Sequence, residues 1–276
     1  MLPQERGFSV TQTFKHFIEQ FLYNPIVLVF LRPLSYLIIG TVSALQYNTF
    51  NRSVFFLLYL YLFTNYYIES YLSKHELFAK STLTLPFILL EIINLVLIST
   101  LAVSTNYLVA LLTILYSLIM HFQHYLKSIG WSNLTILVVS FFKGGIITYL
   151  SFFTQVHFLP LELLKWSIPL VLVNILVEMH TYYLQTTVQQ PILKKDFLLK
   201  TLILITLIYL TTIFLLASTF GYLLVLFLFT VPFILHFINM IHRKKEKKLC
   251  LKTLFLYQMT YLFVFTLIET ISFYLL

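Results

Sequence analysis

The sequence predicts an all-α polytopic membrane protein, and three observations carry that reading. Of the 276 residues, 59% are hydrophobic and only 10% are charged, against about 25% charged in soluble domains. The mean hydropathy is +0.90. Apolar stretches recur along nearly the whole chain, and about 20 such residues suffice to cross ~30 Å of hydrocarbon as a helix. A water-soluble domain is thereby excluded. The single cysteine, Cys250, leaves no disulfide framework and no thiolate metal cluster.

Taken in order, residues 1–24 form a segment with Glu5, Arg6, Lys15 and Glu19. It lacks the basic start, short apolar run and small-residue cleavage site of a signal peptide, so it reads as a retained cytoplasmic N-terminal segment. Apolar runs punctuated by polar, Pro or Gly residues then give about nine helices within one transmembrane domain, 1–276. The first, near 26–46, carries Arg32; the second, 53–72, carries Asn65 and Glu69; the third, 82–103, carries Glu91. The fourth runs near 106–122 and the fifth, 133–154, carries Lys143. The sixth, 163–184, carries Asn174, Glu178 and His180; the seventh is 198–217; the eighth, 220–241, holds His236; the ninth, 253–275, holds Glu269.

With the N-terminus inside, 14 of the 18 basic residues fall on the cytoplasmic side, including Lys74, Lys127, Lys194 and the run Arg243 to Lys248. Only Arg52 and Lys165 fall outside, so the positive-inside rule favours nine crossings with the C-terminus outside. The basic residues set orientation and do not indicate nucleic acid.

The informative residues are polar groups inside spans, because an ionisable group in hydrocarbon costs roughly 2.5–3.5 kcal/mol and faces a cavity or a partner. Two of them repeat. Asn65 and Glu69 are four apart in the second span, and Asn174 and Glu178 are four apart in the sixth, so each pair shares a helix face. Nine Asn and nine Glu give about 0.3 such spacings by chance, so two in equivalent places read as a degenerate internal repeat. The other reading is two unrelated polar pairs at wet helix ends. Glu91 and Lys143 could pair as a structural salt bridge, and Glu269 could find another partner. His121 and His124, placed with Lys127 in the loop after the fourth span, are weak zinc candidates without a third ligand. Carboxylates facing across a cavity with lysines nearby suit a magnesium-bridged diphosphate, since Mg²⁺ is held by one or two carboxylates plus phosphate oxygens.

Over residues 25–200 the chain resembles the UbiA-type intramembrane prenyltransferases, especially the branch acting on dihydroxynaphthoate. Arg32-Pro33-Leu34 followed by Gly40 and Ala44 looks like the family's first-helix pattern. Phe63-Thr64-Asn65-Tyr66-Tyr67-Ile68-Glu69 sits where the family carries Asn-x-x-x-Asp-x-x-x-Asp, with Glu69 and Ser73 at the aspartate positions. Tyr116-Ser117, Lys127-Ser128-Ile129-Gly130, Gly144-Gly145 and Gln155 follow in the family's order. Asn174, Glu178 and Tyr182 stand in the second, Asp-x-x-x-Asp-x-x-x-Asp motif. The departures are the aspartates: Asp196 is the single one in the chain, and the usual Gly-Lys-Arg after the second motif is replaced by the later Lys194 and Lys195.

The resemblance implies a UbiA-like bundle in the cell (inner) membrane. It also implies transfer of an isoprenoid from a polyprenyl diphosphate to an aromatic or quinone-precursor acceptor among the membrane lipids. It assigns Asn65, Glu69, Asn174 and Glu178 to the catalytic site, with Glu69 and Glu178 on Mg²⁺, and Lys127, Arg32, Lys74 and Lys194 on the diphosphate. Tyr66, Tyr67, Tyr149, Tyr182 and Tyr183 are candidate aromatic walls for an allylic cation. The alternative is a relative of the same fold that binds an isoprenoid lipid or a partner without catalysis; a transporter is a third reading. Convergence of Glu69 and Glu178 within ~8 Å of each other favours the enzyme.

Overall fold

The computed structural model describes residues 24–73, 84–187, 195–242 and 251–275, and every regular element among them is helical. The helices begin where the chain supplies a cap. Asn24 accepts from the Ile26 amide at 3.0 Å, with Pro25 behind it, to open α1 (Pro25–Ala44). Asn51 accepts from Val54 N to open α2 (Arg52–Leu72), and Asn106 accepts from Val109 N to open α4 (Tyr107–Ser128). Each such bond satisfies an orphan first-turn donor, worth about 1 kcal/mol. Between α2 and α4 lies α3 (Leu85–Ser104), with a proline in its first turn.

The fifth helix, α5 (Ser132–Val156), is interrupted by one π turn, Phe142–Ile146. The extra residue widens the helix at Phe-Lys-Gly-Gly-Ile and aims Lys143 inward, where it is 1% exposed. Next come α6 (Glu162–Thr187) and α7 (Lys195–Phe220). A 3₁₀ segment, Gly221–Thr230, leads into α8 (Val231–His242), and α9 (Leu251–Tyr274) closes the chain. Gly221 takes φ +51°, a left-handed conformation that glycine adopts without penalty, and the chain reverses there. The Tyr209 hydroxyl meets that of Thr230, 21 positions on, where a straight helix would hold them about 30 Å apart.

Seven helical stretches are long and apolar enough to cross a membrane, the longest being Phe197–Leu235, which contains the reversal. The chain is thus an integral, multi-pass membrane protein. α2 is 21 residues long but carries Arg52, Asn65, Glu69 and five tyrosines, which keeps it out of that set. Large apolar side chains are outermost on α3, α4 and α7, as at Leu95, Leu111 and Phe214, a surface suited to lipid.

The sequence-based boundaries agree with these helices to within a few residues, with one consequential exception. α4 runs to Ser128, so His121, His124 and Lys127 lie on a helix and not in a loop. Gly130, at φ +95°, turns the chain after it.

Helices adjacent in sequence pack together, α9 returns along α1, and α5 also lies against α1. Two glycines set the closest approaches. A Cβ on Gly40 would sit 2.0 Å from Ser151 Oγ and 2.2 Å from the Thr148 carbonyl, and one on Gly144 would sit 2.7 Å from Val171 Cα. Bare backbone at these two positions lets α1 and α6 press against α5. The α1–α2 turn is tied to the far end of α5, where Gln155 Oε1 accepts from Asn51 N at 2.8 Å and the Gln155 carbonyl accepts from Asn48 Nδ2 at 2.9 Å.

Gly40→Ala and Gly144→Ala will each lower the apparent unfolding temperature in detergent, the overpacking costing about 1–3 kcal/mol or more. Gly145→Ala, whose Cβ would meet nothing nearer than Val171 Cγ2 at 3.5 Å and the Phe141 ring at 3.7 Å, will unfold like wild type in the same thermal-shift assay.

Candidate functional site

Five charged side chains from five helices meet in the interior. Lys143 of α5 stands at the centre: its ammonium lies 3.2 and 3.3 Å from the two carboxylate oxygens of Glu69 on α2 and 2.6 Å from Glu178 Oε1 on α6. Because both carboxylates touch one nitrogen, the bonded oxygens are no more than about 6 Å apart. Arg32 of α1 reaches both as well, with Nη2 at 3.6 Å from Glu69 Oε2 and 3.6 Å from Glu178 Oε1. Lys127, in the last turn of α4, lies 3.8 Å from Glu178 Oε2 and donates to Gln123 Oε1 at 3.3 Å. The Glu178 side chain is 2% exposed and that of Glu69 14%, so Glu69 marks the open side of the cluster.

Burial at this level is tolerable only because each charge has an opposite neighbour within ion-pair distance. Three cations face two carboxylates, so the five groups carry one net positive charge. Arg32 is held further by its own helix, with Nε donating to the Tyr36 hydroxyl at 3.3 Å. Its guanidinium lies 4.8 Å from the centroid of the Tyr66 ring, in cation–π range. Tyr36, Tyr66 and Tyr116, with Pro33 and Leu62, wall a small cavity onto which Arg32, Glu69 and Lys143 open.

The two asparagines follow a different course. Asn65 Nδ2 donates to the Tyr61 carbonyl and to Asn94 Oδ1, both at 2.9 Å, and Asn65 Oδ1 accepts from Ser117 Oγ at 2.9 Å. With Asn94 Nδ2 donating to Ser117 Oγ at 2.6 Å, this polar triad ties α2, α3 and α4 together. Asn174 Nδ2 donates to the Leu170 carbonyl at 2.9 Å, and its Oδ1 is buried without a hydrogen-bond partner among the described residues. The sequence repeat therefore has a structural counterpart: each Asn bonds the carbonyl one turn back and each Glu, one turn on, binds Lys143. Neither asparagine amide bonds a carboxylate of the cluster.

Other expectations are redistributed. Glu91 does not pair with Lys143; its Oε1 lies 2.7 Å from His121 Nε2, and His121 Nδ1 contacts the Ser117 carbonyl at 2.6 Å. With both ring nitrogens of His121 engaged, the zinc reading of His121 and His124 has no support in the geometry. Glu269 is 1% exposed, and neither carboxylate oxygen has a hydrogen-bond partner among the described residues. Of the candidate aromatic walls, Tyr66 joins the cluster. Tyr67 is exposed, Tyr149 bonds Ser167 Oγ at 2.7 Å, and Tyr183 stacks on Phe197 at 4.0 Å. Lys74 and Lys194 lie outside the described residues.

Lys143 is the member whose role sequence spacing missed. The available signal was an in-span lysine beside Gly144-Gly145, which needs an opposite charge on a neighbouring helix. A second cavity, lined by His180, Ile205, Phe233, Gln258 and Tyr261 among others, lies between α6, α7, α8 and α9.

No protein-family model, curated protein or solved structure matches this chain. The residues themselves must therefore decide what fits. Among the described residues no group of three His, Cys, Asp or Glu side chains is placed to hold a metal ion. Glu69 and Glu178 are the carboxylates a Mg²⁺ ion would use, but the Lys143 ammonium sits between them and Arg32 covers both. Asn65 is engaged elsewhere through both amide atoms, and Asn174 donates to the Leu170 carbonyl while its Oδ1 has no partner among the described residues. As placed, these side chains do not fit a divalent ion, which needs an octahedron of oxygens with no cation in its midst.

Glu178→Gln will strip Lys143 and Lys127 of a shared counter-charge and cost about 3–5 kcal/mol of stability. Glu178→Gln/Lys143→Met will recover most of that loss. A double-mutant cycle by denaturant titration in detergent reads the coupling, and strictly additive losses would rule out the ion pair as a stabilising unit.

Proposed function

We propose that this protein binds an isoprenoid diphosphate at the Arg32–Lys127–Lys143 cluster and transfers the prenyl chain to an aromatic or similarly lipophilic acceptor within the membrane. The observation that carries the reading is the convergence of Glu69 and Glu178 with three cations in one cluster, whose Arg32, Glu69 and Lys143 line an aromatic-walled cavity. A transporter reading draws less from the same geometry, because the charges lock one another and do not line a path.

The bundle accompanying this reading is UbiA-like and crosses nine times. Adding α2 to the seven apolar stretches and splitting Phe197–Leu235 at Gly221 gives that count. The charge asymmetry of the loops then puts the N-terminus in the cytoplasm and the C-terminus outside, in the cell (inner) membrane. Polyprenyl diphosphate, a quinone-precursor acceptor and membrane lipid are the partners of this proposal; nucleic acid is not among them.

In the transfer step the allylic C1–O bond breaks and its electron pair leaves with the diphosphate, whose oxygens the guanidinium and the two ammonium groups hold. The electron-rich ring of the acceptor supplies the pair for the new C–C bond, and the ring proton passes to the departing diphosphate. Between these events the allylic cation needs dry, electron-rich walls, a part for which Tyr36, Tyr66 and Tyr116 are placed. Glu69 and Glu178 hold the three cations in register. The resemblance implies Mg²⁺ as the Lewis acid; the side chains as arranged do not fit it, and no part of this step requires it.

A second reading, a binder of isoprenoid lipid without catalysis, is favoured by one observation: Lys143 fills the space between the carboxylates. Turnover separates the two. Detergent-purified protein, supplied with MgCl₂, labelled farnesyl or geranylgeranyl diphosphate and a panel of phenolic and naphthoate acceptors, will release diphosphate and form prenylated acceptor. Glu69→Gln/Glu178→Gln will lose that turnover by about 100-fold or more, in the range seen when positioning electrostatics are removed. Ligand binding without turnover would select the second reading, and absence of both would reject the site.

A further inference from the structure

Resting on the proposed diphosphate site, we infer that the protein binds its phosphoryl anion without a divalent cation, Lys143 serving as a built-in counter-ion between Glu69 and Glu178. The argument is one of charge and space. Two carboxylates that bridge a divalent ion sum with it to zero, and Glu69 and Glu178 sum to zero with Lys143 and Arg32 in the same way. The ammonium touches both carboxylates, at 3.2 and 2.6 Å, and Arg32 Nη2 touches both at 3.6 Å. The four groups are thus already neutral as a set, and Lys127, 3.8 Å from Glu178 Oε2, is the surplus positive charge.

A divalent ion placed between the carboxylates would have to displace an ammonium that is 1% exposed. Doing so would leave that ammonium buried beside Arg32 and the new ion, with no remaining acidic partner, which is the costly outcome for a buried charge. An incoming phosphoryl group meets the opposite situation. It finds Arg32, Lys143 and Lys127 already fixed by acidic and amide partners, so little side-chain ordering remains to be done on binding. The π turn at Phe142–Ile146 is what delivers Lys143 to this position, so the counter-ion is a product of the backbone and not of an adaptable surface side chain.

The experiment is equilibrium binding of farnesyl thiolodiphosphate, and separately of inorganic pyrophosphate, to the full chain in detergent with EDTA or with MgCl₂. Wild type will bind the thiolodiphosphate with dissociation constants that agree within about twofold in the two buffers. Lys143→Arg keeps the charge and will keep this indifference to metal. Lys143→Met frees the two carboxylates for an ion, so its binding will weaken by about tenfold or more in EDTA and recover in Mg²⁺. Wild-type binding that needs Mg²⁺ would overturn the built-in counter-ion and leave the diphosphate site standing. No wild-type binding in either buffer would overturn both. Where Lys143→Met fails to yield folded protein, wild type and Lys143→Arg decide the question alone. Pyrophosphate bound as tightly as the prenylated analogue would assign the recognition to the phosphoryl group, and not to the lipid tail.

Discussion

An ammonium group buried to 1% exposure in the interior of a helical bundle dictates much of what surrounds it. Lys143 can stay there only if acidic groups come to it from other helices, and its two partners come from α2 and α6. Their charges in turn call for Arg32 from α1 and Lys127 from α4. Each helix is thereby fixed in rotation about its own axis, because turning it by one residue would withdraw a charged group from its oppositely charged neighbours. Apolar packing against lipid tails cannot supply such register, since one apolar face is as good as another in that solvent. The close approaches at Gly40 and Gly144 bring the backbones of α1 and α6 onto α5, and the ion pairs then choose the angle.

Several of the remaining interior polar groups hold helices together. Asn65, Asn94 and Ser117 satisfy one another across α2, α3 and α4, and Glu91 with His121 adds a second tie between α3 and α4. These bonds stabilise the half of the bundle that carries Glu69 and Lys127. The two asparagines of the repeat are structural in the same sense, each donating to a carbonyl on its own helix. The repeat thus placed its glutamates and asparagines in equivalent positions, and the ion pairs with Lys143 fall to the glutamates.

Part of this was legible in the sequence, for a definable reason. Hydropathy marks spans, so the helices match their expected bounds closely, and spacing marks faces, so Asn65 with Glu69 and Asn174 with Glu178 each share one; whether the two glutamates converge was left open by spacing, and both reach Lys143. What spacing does not give is the angle of one helix face relative to another. Lys143 could therefore be matched with Glu91, whereas α3 turns Glu91 toward His121 on α4. Nor does an apolar run show where a helix ends when its next turn is amphipathic, which is why α4 extends past 122 to Ser128 and carries Lys127 into the cluster. The π turn was hidden for a similar reason: Gly144-Gly145 signals a loosened helix without saying which side chain the loosening redirects.

The surplus positive charge ties stability to occupancy. Five ionised groups that sum to +1 in a low-dielectric interior are less favourable than a neutral set, by an amount that water reaching Glu69, the most open member, reduces but does not remove. In the proposed binding step an anion entering from that side completes the neutralisation, so part of its binding energy is relief of the surplus charge. The same linkage runs in reverse, because anything that binds only the folded bundle stabilises it in proportion to the logarithm of its excess over the dissociation constant. A cation gains nothing from this arrangement, and a neutral lipid leaves the charge where it was. On the proposed reading the cluster therefore discriminates by charge before it discriminates by shape, and the aromatic cavity beside it acts on what the charge admits.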